Sequence, residues 1–360
     1  MTMHHDTPQH DTAHHDTVHH DTVHHDATHV TKDMERTTMT WNTGGPPRRA
    51  RRTLLAAILG VCMIGAASAL APAVAAAQDE GVTKIDTTIA FASNGSIDLE
   101  LIAGGMTVTT WDRNEVRIVA NATGDARIEL DASRSHIDME QSRRGHWGSR
   151  NGGDGTVTYQ VTVPAGVRGT LGSVSGSIDV AGVRGGLEVS TVSGAATVRD
   201  VGESVSVEAV SGRVNIANVQ GDAHVESVSS GITISNVSGS LSAESVSGSI
   251  EMTGVRGARV RANTVSGRLD YTGAINPSGH YDFESHSGRV TLRLASNASA
   301  AVSVNTFSGS VNSDYPGAVR RPGNDDDNDG RTYEYTLGRG DARIRVETFS
   351  GTVLITQGNQ

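Results

Sequence analysis

A short motif, Val-Ser-Gly, recurs along the chain at a nearly constant spacing. Successive copies lie 18 or 19 residues apart once Val228-Ser-Ser is counted as the fourth, and they begin at Val174, Val192, Val210, Val228, Val246 and Val265. Each unit divides into two halves of nine residues, with aliphatic residues at positions 1, 5 and 7 of each half. A fixed period of this size is the signature of a repeat architecture.

The alternation inside each half predicts β-strands. Positions 1, 3, 5 and 7 alternate with polar residues, which is the pattern of a strand with one buried face. The phase resets every nine residues, so we expect a bend around positions 8, 9 and 1 and a buried column of Val and Ile. Stacked coils would place like residues about 4.8 Å apart. We predict an all-β fold, a parallel β-solenoid with 18–21-residue coils and two strands per coil.

Composition agrees with a core of small β-branched residues, because only 4% of the chain is aromatic. Two other solenoids with similar coils fit less well. A left-handed hexapeptide helix needs an aliphatic residue every six positions, yet the third step reaches Gly186, Ser204 and Asp222. A calcium-binding nonapeptide roll needs Gly-Gly-x-Gly-x-Asp turns, which the repeat lacks.

The sequence divides into four predicted segments. A low-complexity His- and Asp-rich leader covers residues 1–47, and a signal peptide covers 48–77. Residues 78–165 show weaker alternation and are predicted to be degenerate coils that cap the solenoid. The regular solenoid occupies 166–360, with longer coils and an acidic loop near its end.

The signal peptide is predicted from Arg-Arg-Ala-Arg-Arg at 48–52, an apolar run from Leu54 to Val74, and Ala75-Ala-Ala before a polar stretch. We expect cleavage after Ala77 and an exported protein that is periplasmic, on the cell surface or extracellular. An uncleaved transmembrane anchor is the alternative. The single cysteine, Cys62, lies in the apolar run, so the mature chain is expected to contain no disulfide.

The corners are predicted to be structural. A serine follows the valine at each corner, and small hydroxyls of this kind can bond neighbouring backbone. Gly212 and Gly248 are predicted to take positive φ angles, so that valine at either position would destabilise the stack.

One column of charged residues is a candidate binding surface. Two positions before successive corners stand Glu208, Glu226 and Glu244, which would stack at the coil spacing. Like charges on adjacent strands are destabilising, and a cation or a basic partner would relieve the repulsion. A solvated, salt-screened column is the structural alternative.

Two loops supply further candidates. Arg144 and Trp147 lie in a Gly-rich loop, where a tryptophan among arginines could stack on a sugar or grip an anionic polymer. Asp325, Asp327 and Asp329 match the first half of a calcium-binding loop, which makes calcium the one cofactor worth testing. An ordinary hairpin tip and an ordinary acidic loop are the respective alternatives.

The order of several short motifs resembles a known family. These are Thr110-Trp-Asp, Tyr159-Gln-Val-Thr-Val-Pro, the Ser-Gly corners, Ser313-Asp-Tyr-Pro, Tyr335-Thr-Leu-Gly and a closing Thr348-Phe-Ser-Gly-Thr-Val-Leu-Ile. Over residues 85–357 the chain resembles the bacterial exported "putative adhesin" domain family of unknown function. The resemblance implies adhesion and supplies no catalytic residues.

These features favour a binding protein over an enzyme. A net charge of −10 argues against nucleic acid as a partner, and no catalytic set of residues stands out. We predict a non-enzymatic solenoid that presents a long flat surface to an envelope, surface-polymer or protein partner, with self-association through its ends left open. A carbohydrate-processing or carbohydrate-binding module and a periplasmic structural scaffold are the alternatives.

Overall fold

The computed structural model describes residues 83–143, 155–320 and 330–358, and all regular elements in these ranges are β-strands. Among the described residues there is no apolar helix of membrane-spanning length. The predicted leader and signal peptide lie outside them. The first seven strands are β1 Lys84–Ala90, β2 Ser96–Leu101, β3 Gly104–Trp111, β4 Glu115–Ala122, β5 Ala126–Ala132, β6 His136–Arg143 and β7 Val157–Pro164.

The regular repeat supplies the next twelve strands. They are β8 Arg168–Ser173, β9 Ser177–Ala181, β10 Leu187–Thr191, β11 Ala196–Val201, β12 Val205–Ala209, β13 Val214–Val219, β14 Ala223–Ser227, β15 Ile232–Val237, β16 Leu241–Ser245, β17 Ile250–Thr253, β18 Arg259–Thr264 and β19 Arg268–Gly273. Eight more follow: β20 His280–Ser285, β21 Arg289–Ala295, β22 Ala300–Thr306, β23 Ser310–Ser313, β24 Gly317–Arg320, β25 Arg331–Leu337, β26 Ala342–Thr348 and β27 Thr352–Gly358.

The strands form two long sheets, and the chain alternates between them through the repeat. Sheet 1 has the order β24-β25-β22-β26-β20-β18-β16-β14-β12-β10-β8-β2-β6-β5. Sheet 2 has the order β1-β4-β7-β3-β9-β11-β13-β15-β17-β19-β21-β27-β23. Even-numbered strands from β8 to β20 pair in parallel in sheet 1, and odd-numbered strands from β9 to β21 do so in sheet 2. The predicted parallel β-solenoid with two strands per coil is confirmed.

The core lies between the sheets and is built from stacked aliphatic columns. Val189, Val207 and Val225 are in register on neighbouring strands of sheet 1, and all three are fully buried. Larger side chains enter where the coils lengthen, because a wider coil leaves more space to fill. There Tyr271 packs edge-on against Tyr281, with ring centroids 5.8 Å apart.

The valine of Val-Ser-Gly does not belong to this core, contrary to the prediction. Val228 and Val246 are 48% and 49% exposed. The strand before each of these corners ends on an inward side chain, such as Thr191, so the next residue points outward. At the other corner a left-handed residue, such as Asp200 with φ 58°, interrupts the alternation and turns Val201 inward. Only alternate corners therefore contribute a valine to the core.

The corner glycines are required for a different reason from the one predicted. Gly212 and Gly248 do not have positive φ. A Cβ at Gly212 would lie 1.7 Å from the carbonyl oxygen of Gly194 in the preceding coil, and one at Gly248 would lie 1.7 Å from that of Ser230. Close approach of backbone between coils excludes a side chain there.

The predicted serine ladder is confirmed. The hydroxyl of Ser193 donates to the carbonyl of Val174 at 3.0 Å, one coil away. Ser211 donates in the same way to Val192, at 3.2 Å. The hydroxyls of Ser229 and Ser247 make the same bond, so four successive corner serines each link their own coil to the preceding one.

Both ends of the stack depart from chain order. The coil β2–β3 lies between β6–β7 and β8–β9, and the coil β26–β27 lies between β20–β21 and β22–β23. Antiparallel pairs finish each end: β1 with β4, β4 with β7 and β5 with β6 at one end, and β22 with β25 and β24 with β25 at the other. The N-terminal segment thus contains two coils, β2–β3 and β6–β7, together with antiparallel strands that cap them.

Candidate functional site

The three glutamates predicted from the sequence come together on the outer face of sheet 1. Glu208 is in register with Glu226, and Glu226 with Glu244, on the adjacent strands β12, β14 and β16. Their side chains are half-buried in this row. His224 Nε2 lies 2.7 Å from Glu226 Oε1, so one member of the row has a local partner.

A denser group of carboxylates lies further along the same face. Asp98 and Glu100 on β2 are in register with Asp138 and Glu140 on β6. Strand β5 then places Asp131 opposite Asp138 and Glu129 opposite Glu140. Two rows of three carboxylates result, and we call this group the carboxylate array: Asp98, Glu100, Glu129, Asp131, Asp138 and Glu140.

The array is electrostatically strained. Partial burial raises the pKa of Glu100, and repulsion from Glu140 and Asp98 raises it further. Partial burial also raises the pKa of Glu140, with Glu129 and Asp138 adding to the effect. The pKa of Asp98 is raised by burial and by Asp138, against a lowering influence of His136. Each of these carboxyl groups therefore keeps its proton to a higher pH in the folded protein than an isolated side chain does.

Several carboxylates elsewhere on the two sheets have basic partners. On sheet 2 the pairs Arg117–Asp86, Arg199–Asp179 and Arg293–Asp270 have N···O distances of 3.5, 2.8 and 3.7 Å. On the far part of sheet 1, Arg261 pairs with Asp282 and Arg345 with Glu347.

Within the described ranges no lysine or arginine forms an ion pair with Asp98, Glu100, Asp138 or Glu140. Among the described side chains, negative charge is therefore concentrated toward one end of sheet 1 without a basic ion-pair partner.

The array was missed in the sequence because its spacing is not that of the repeat. Its signal is the pattern Ile-Asp-x-Glu, which occurs at Ile97 and again at Ile137, 40 residues later. The two copies become neighbours because β6 pairs with β2 in register. A search at a period of 18 residues passes over this pair.

The remaining predicted site residues lie outside the described residues. Arg144 and Trp147 fall in the gap after β6, and Asp325, Asp327 and Asp329 fall in the gap before β25. Their roles in sugar and calcium binding stay predictions. In the part of the chain that is described, no group of three or more His, Cys, Asp or Glu side chains is placed to hold a metal ion.

Two sheets of mainly parallel strands, wound from an 18-residue repeat and carrying a row of carboxylates on one face, define a β-solenoid repeat protein. Residues 94–356 match the Toastrack DUF4097 family, and the chain belongs to that family. This membership confirms the resemblance to an adhesin-like domain of unknown function that the ordered corner motifs indicated. No curated protein matches the chain in sequence.

Two solved structures are similar to the chain. One is a "putative cell adhesion protein" from Clostridium sporogenes, with 12% identity, 76% of this chain and 100% of that chain covered, and a TM-score of 0.19. The other is a "putative adhesin" from Bacteroides fragilis, with 12% identity, 77% and 98% covered, and a TM-score of 0.35.

Proposed function

We propose that the chain is an exported, non-enzymatic, adhesin-like protein that binds a basic protein surface in the cell envelope through the carboxylate array. The observation that carries the proposal is the register of β5, β6 and β2, which sets six carboxylates side by side on one sheet face. The apolar segment before Gln78, with its basic flank, supports export.

Neutralisation of the array supplies the driving force. Carboxylates that repel one another in the free protein are stabilised by contact with lysine or arginine, because the positive charges offset the like-charge repulsion and add attraction. The Glu208, Glu226 and Glu244 row extends the same face beyond Ser190 and Gly172. A flat, rigid surface of this kind suits an extended contact more than a small ligand.

Binding to an octalysine peptide tests the proposal directly. The array variant carries Asp98→Asn, Glu100→Gln, Asp138→Asn and Glu140→Gln. The matched control removes four carboxylates from sheet 2 through Asp86→Asn, Asp179→Asn, Glu251→Gln and Asp270→Asn. Calorimetry at low salt measures the affinity of each protein for the peptide, and addition of salt measures the electrostatic share.

We expect the array variant to lose binding and the control to retain it, with affinity falling as salt screens the charges. Equal loss in both variants would mean that net charge alone governs binding and would sink the proposal. Protease accessibility on intact and permeabilised cells tests the location. Digestion on intact cells supports surface exposure, and protection until permeabilisation indicates the periplasm.

A further inference from the structure

A groove lies at the corner where the chain passes from sheet 2 to sheet 1, and no residue of the carboxylate array lines it. Its volume is about 810 Å³, within the range of ligand sites in proteins. Two columns of exposed polar side chains line it, with an 18-residue spacing that Gly202 interrupts in the second column, between Arg184 and Gln220. The columns are Asp200, Asn218 and Asn236, and Arg184, Gln220 and Ser238.

The first column is held rigidly. Asp200, Asn218 and Asn236 have φ angles of 58°, 58° and 55°, a left-handed conformation that Asp and Asn tolerate better than other side chains. Asn218 Nδ2 donates to Asp200 Oδ1 at 2.8 Å, and Asn236 Nδ2 donates to Asn218 Oδ1 at 3.0 Å. This chain of hydrogen bonds holds one carboxylate and two amide groups at three successive coils.

Backbone groups in the second column are already engaged within the stack. The amide of Gln220 donates to the carbonyl of Val201, and the amide of Ser238 donates to that of Val219, both at 2.9 Å. An extended peptide recognised by added-strand pairing would need such amides free. Recognition in this groove therefore falls to the side chains.

An aromatic side chain stands at one end of the groove. Trp111 is half-buried and lines it, and its indole Nε1 donates to the carbonyl of Glu115 at 2.7 Å. The guanidinium of Arg113 lies over the ring, 5.0 Å from its centroid. The ring is thus held in one orientation at the end of the polar columns.

We propose that this groove binds a neutral glycan chain. Planar amide, carboxylate and guanidinium groups suit the many hydroxyls of a sugar, and an indole ring suits the apolar face of a pyranose. Arg184 is offset by Asp112 and Asp200, so the lining favours no strongly charged ligand. The polar lining also disfavours an apolar small molecule.

The repeat of the groove matches a polymer. Polar side chains of the first column recur at three successive coils, about 4.8 Å apart, which is close to the length of one pyranose in an extended chain. The lining runs from Thr110 beside Gly182 to Asn236, so it covers about four coil steps and about as many sugars. The site lies apart from the carboxylate array and does not depend on the proposed function.

Binding of cellohexaose, chitohexaose and maltohexaose, titrated to millimolar concentration, tests the proposal by calorimetry for every variant and by tryptophan fluorescence for those that retain Trp111. A Trp147→Phe background removes the other tryptophan of the predicted mature chain. We expect binding of at least one hexasaccharide, and a loss of affinity of about tenfold in Trp111→Ala, the size expected for one aromatic contact.

Gln220→Ala should weaken binding as well, and it changes an exposed side chain without touching the Asn ladder. Asn215→Ala, on the outer face of β13 in the same coil, is the matched control and should bind as the parent does. Failure of all three hexasaccharides to bind, or equal affinity in parent, Trp111→Ala and Gln220→Ala, would overturn the proposal. Tighter binding of hexagalacturonate than of any neutral glycan would also overturn it. Octalysine binding tests the carboxylate array separately, so failure of glycan binding and failure of the proposed function can be told apart.

Discussion

Neutralising the centre of the carboxylate array should stabilise the protein. Glu140 has Glu100 in register on one side and Glu129 on the other. Cross-strand pairs of opposite charge contribute roughly 0.2–1 kcal/mol each, like charges directly opposite are destabilising, and we take the repulsion to be of the same size. After discounting for solvent screening of these partly exposed groups, we expect Glu140→Gln to raise the free energy of unfolding by about 1 kcal/mol at neutral pH and low salt.

The pH dependence has a definite sign. Burial and the neighbouring Glu129 and Asp138 raise the pKa of Glu140 in the folded state above its ordinary value of 4.5. The folded protein therefore holds this proton more readily than the unfolded chain does. The resulting stabilisation is complete below the ordinary pKa and is lost as the pH rises through the folded-state pKa. The advantage of Glu140→Gln over the parent should accordingly shrink as the solution is acidified.

Urea unfolding at neutral and acidic pH, each at low and high salt, measures these differences. Glu115→Gln is the matched control, because Glu115 also lies on a strand but has Ala90 as its register partner on β1. It should change stability little under any condition. The electrostatic reasoning would be refuted if Glu140→Gln were no more stable than the parent at neutral pH. It would also be refuted if the gain in unfolding free energy were the same at low and high salt.

Three further substitutions test the corners. Gly212→Val should cost about 3 kcal/mol or more in unfolding free energy, because its Cβ would meet the carbonyl of Gly194; an unchanged urea midpoint would contradict this. Asn218→Ala should cost about 1–2 kcal/mol at its positive φ, and thermal unfolding should show Asn218→Gly to be milder. Ser211→Ala should cost about 1 kcal/mol or less through loss of its bond to Val192, measured by urea unfolding.

The repeat predicted the coil and the two sheets because a period of 18 residues leaves few ways to bury its aliphatic positions. It did not predict which corner valines are buried. The alternation at Val192 and at Val201 looks alike in sequence, and the difference arises from the left-handed residue Asp200. The left-handed angle belongs to a corner within the stack of coils, and the alternation of polar and apolar residues in one coil does not predict it.

The candidate site was predicted in part for a similar reason. Glu208, Glu226 and Glu244 share the 18-residue period, so their register followed from the repeat. Asp98 and Asp138 meet only because β6 pairs with β2 across a non-repetitive segment. The groove was missed because Trp111 and Asn218 are far apart in the chain and become neighbours only through the stack.

The inverted order of coils at both ends bears on how proteins of this architecture can change length. At the C-terminal end, the last coil in the chain, β26–β27, lies between β20–β21 and β22–β23. A coil added next to β22–β23 would therefore have to leave β26–β27 in its place against β20–β21. Duplication of an 18-residue unit between β8 and β19 meets no such constraint, since each new coil finds the same neighbours above and below. Natural variants should therefore differ in the number of central coils while keeping both interlocked ends.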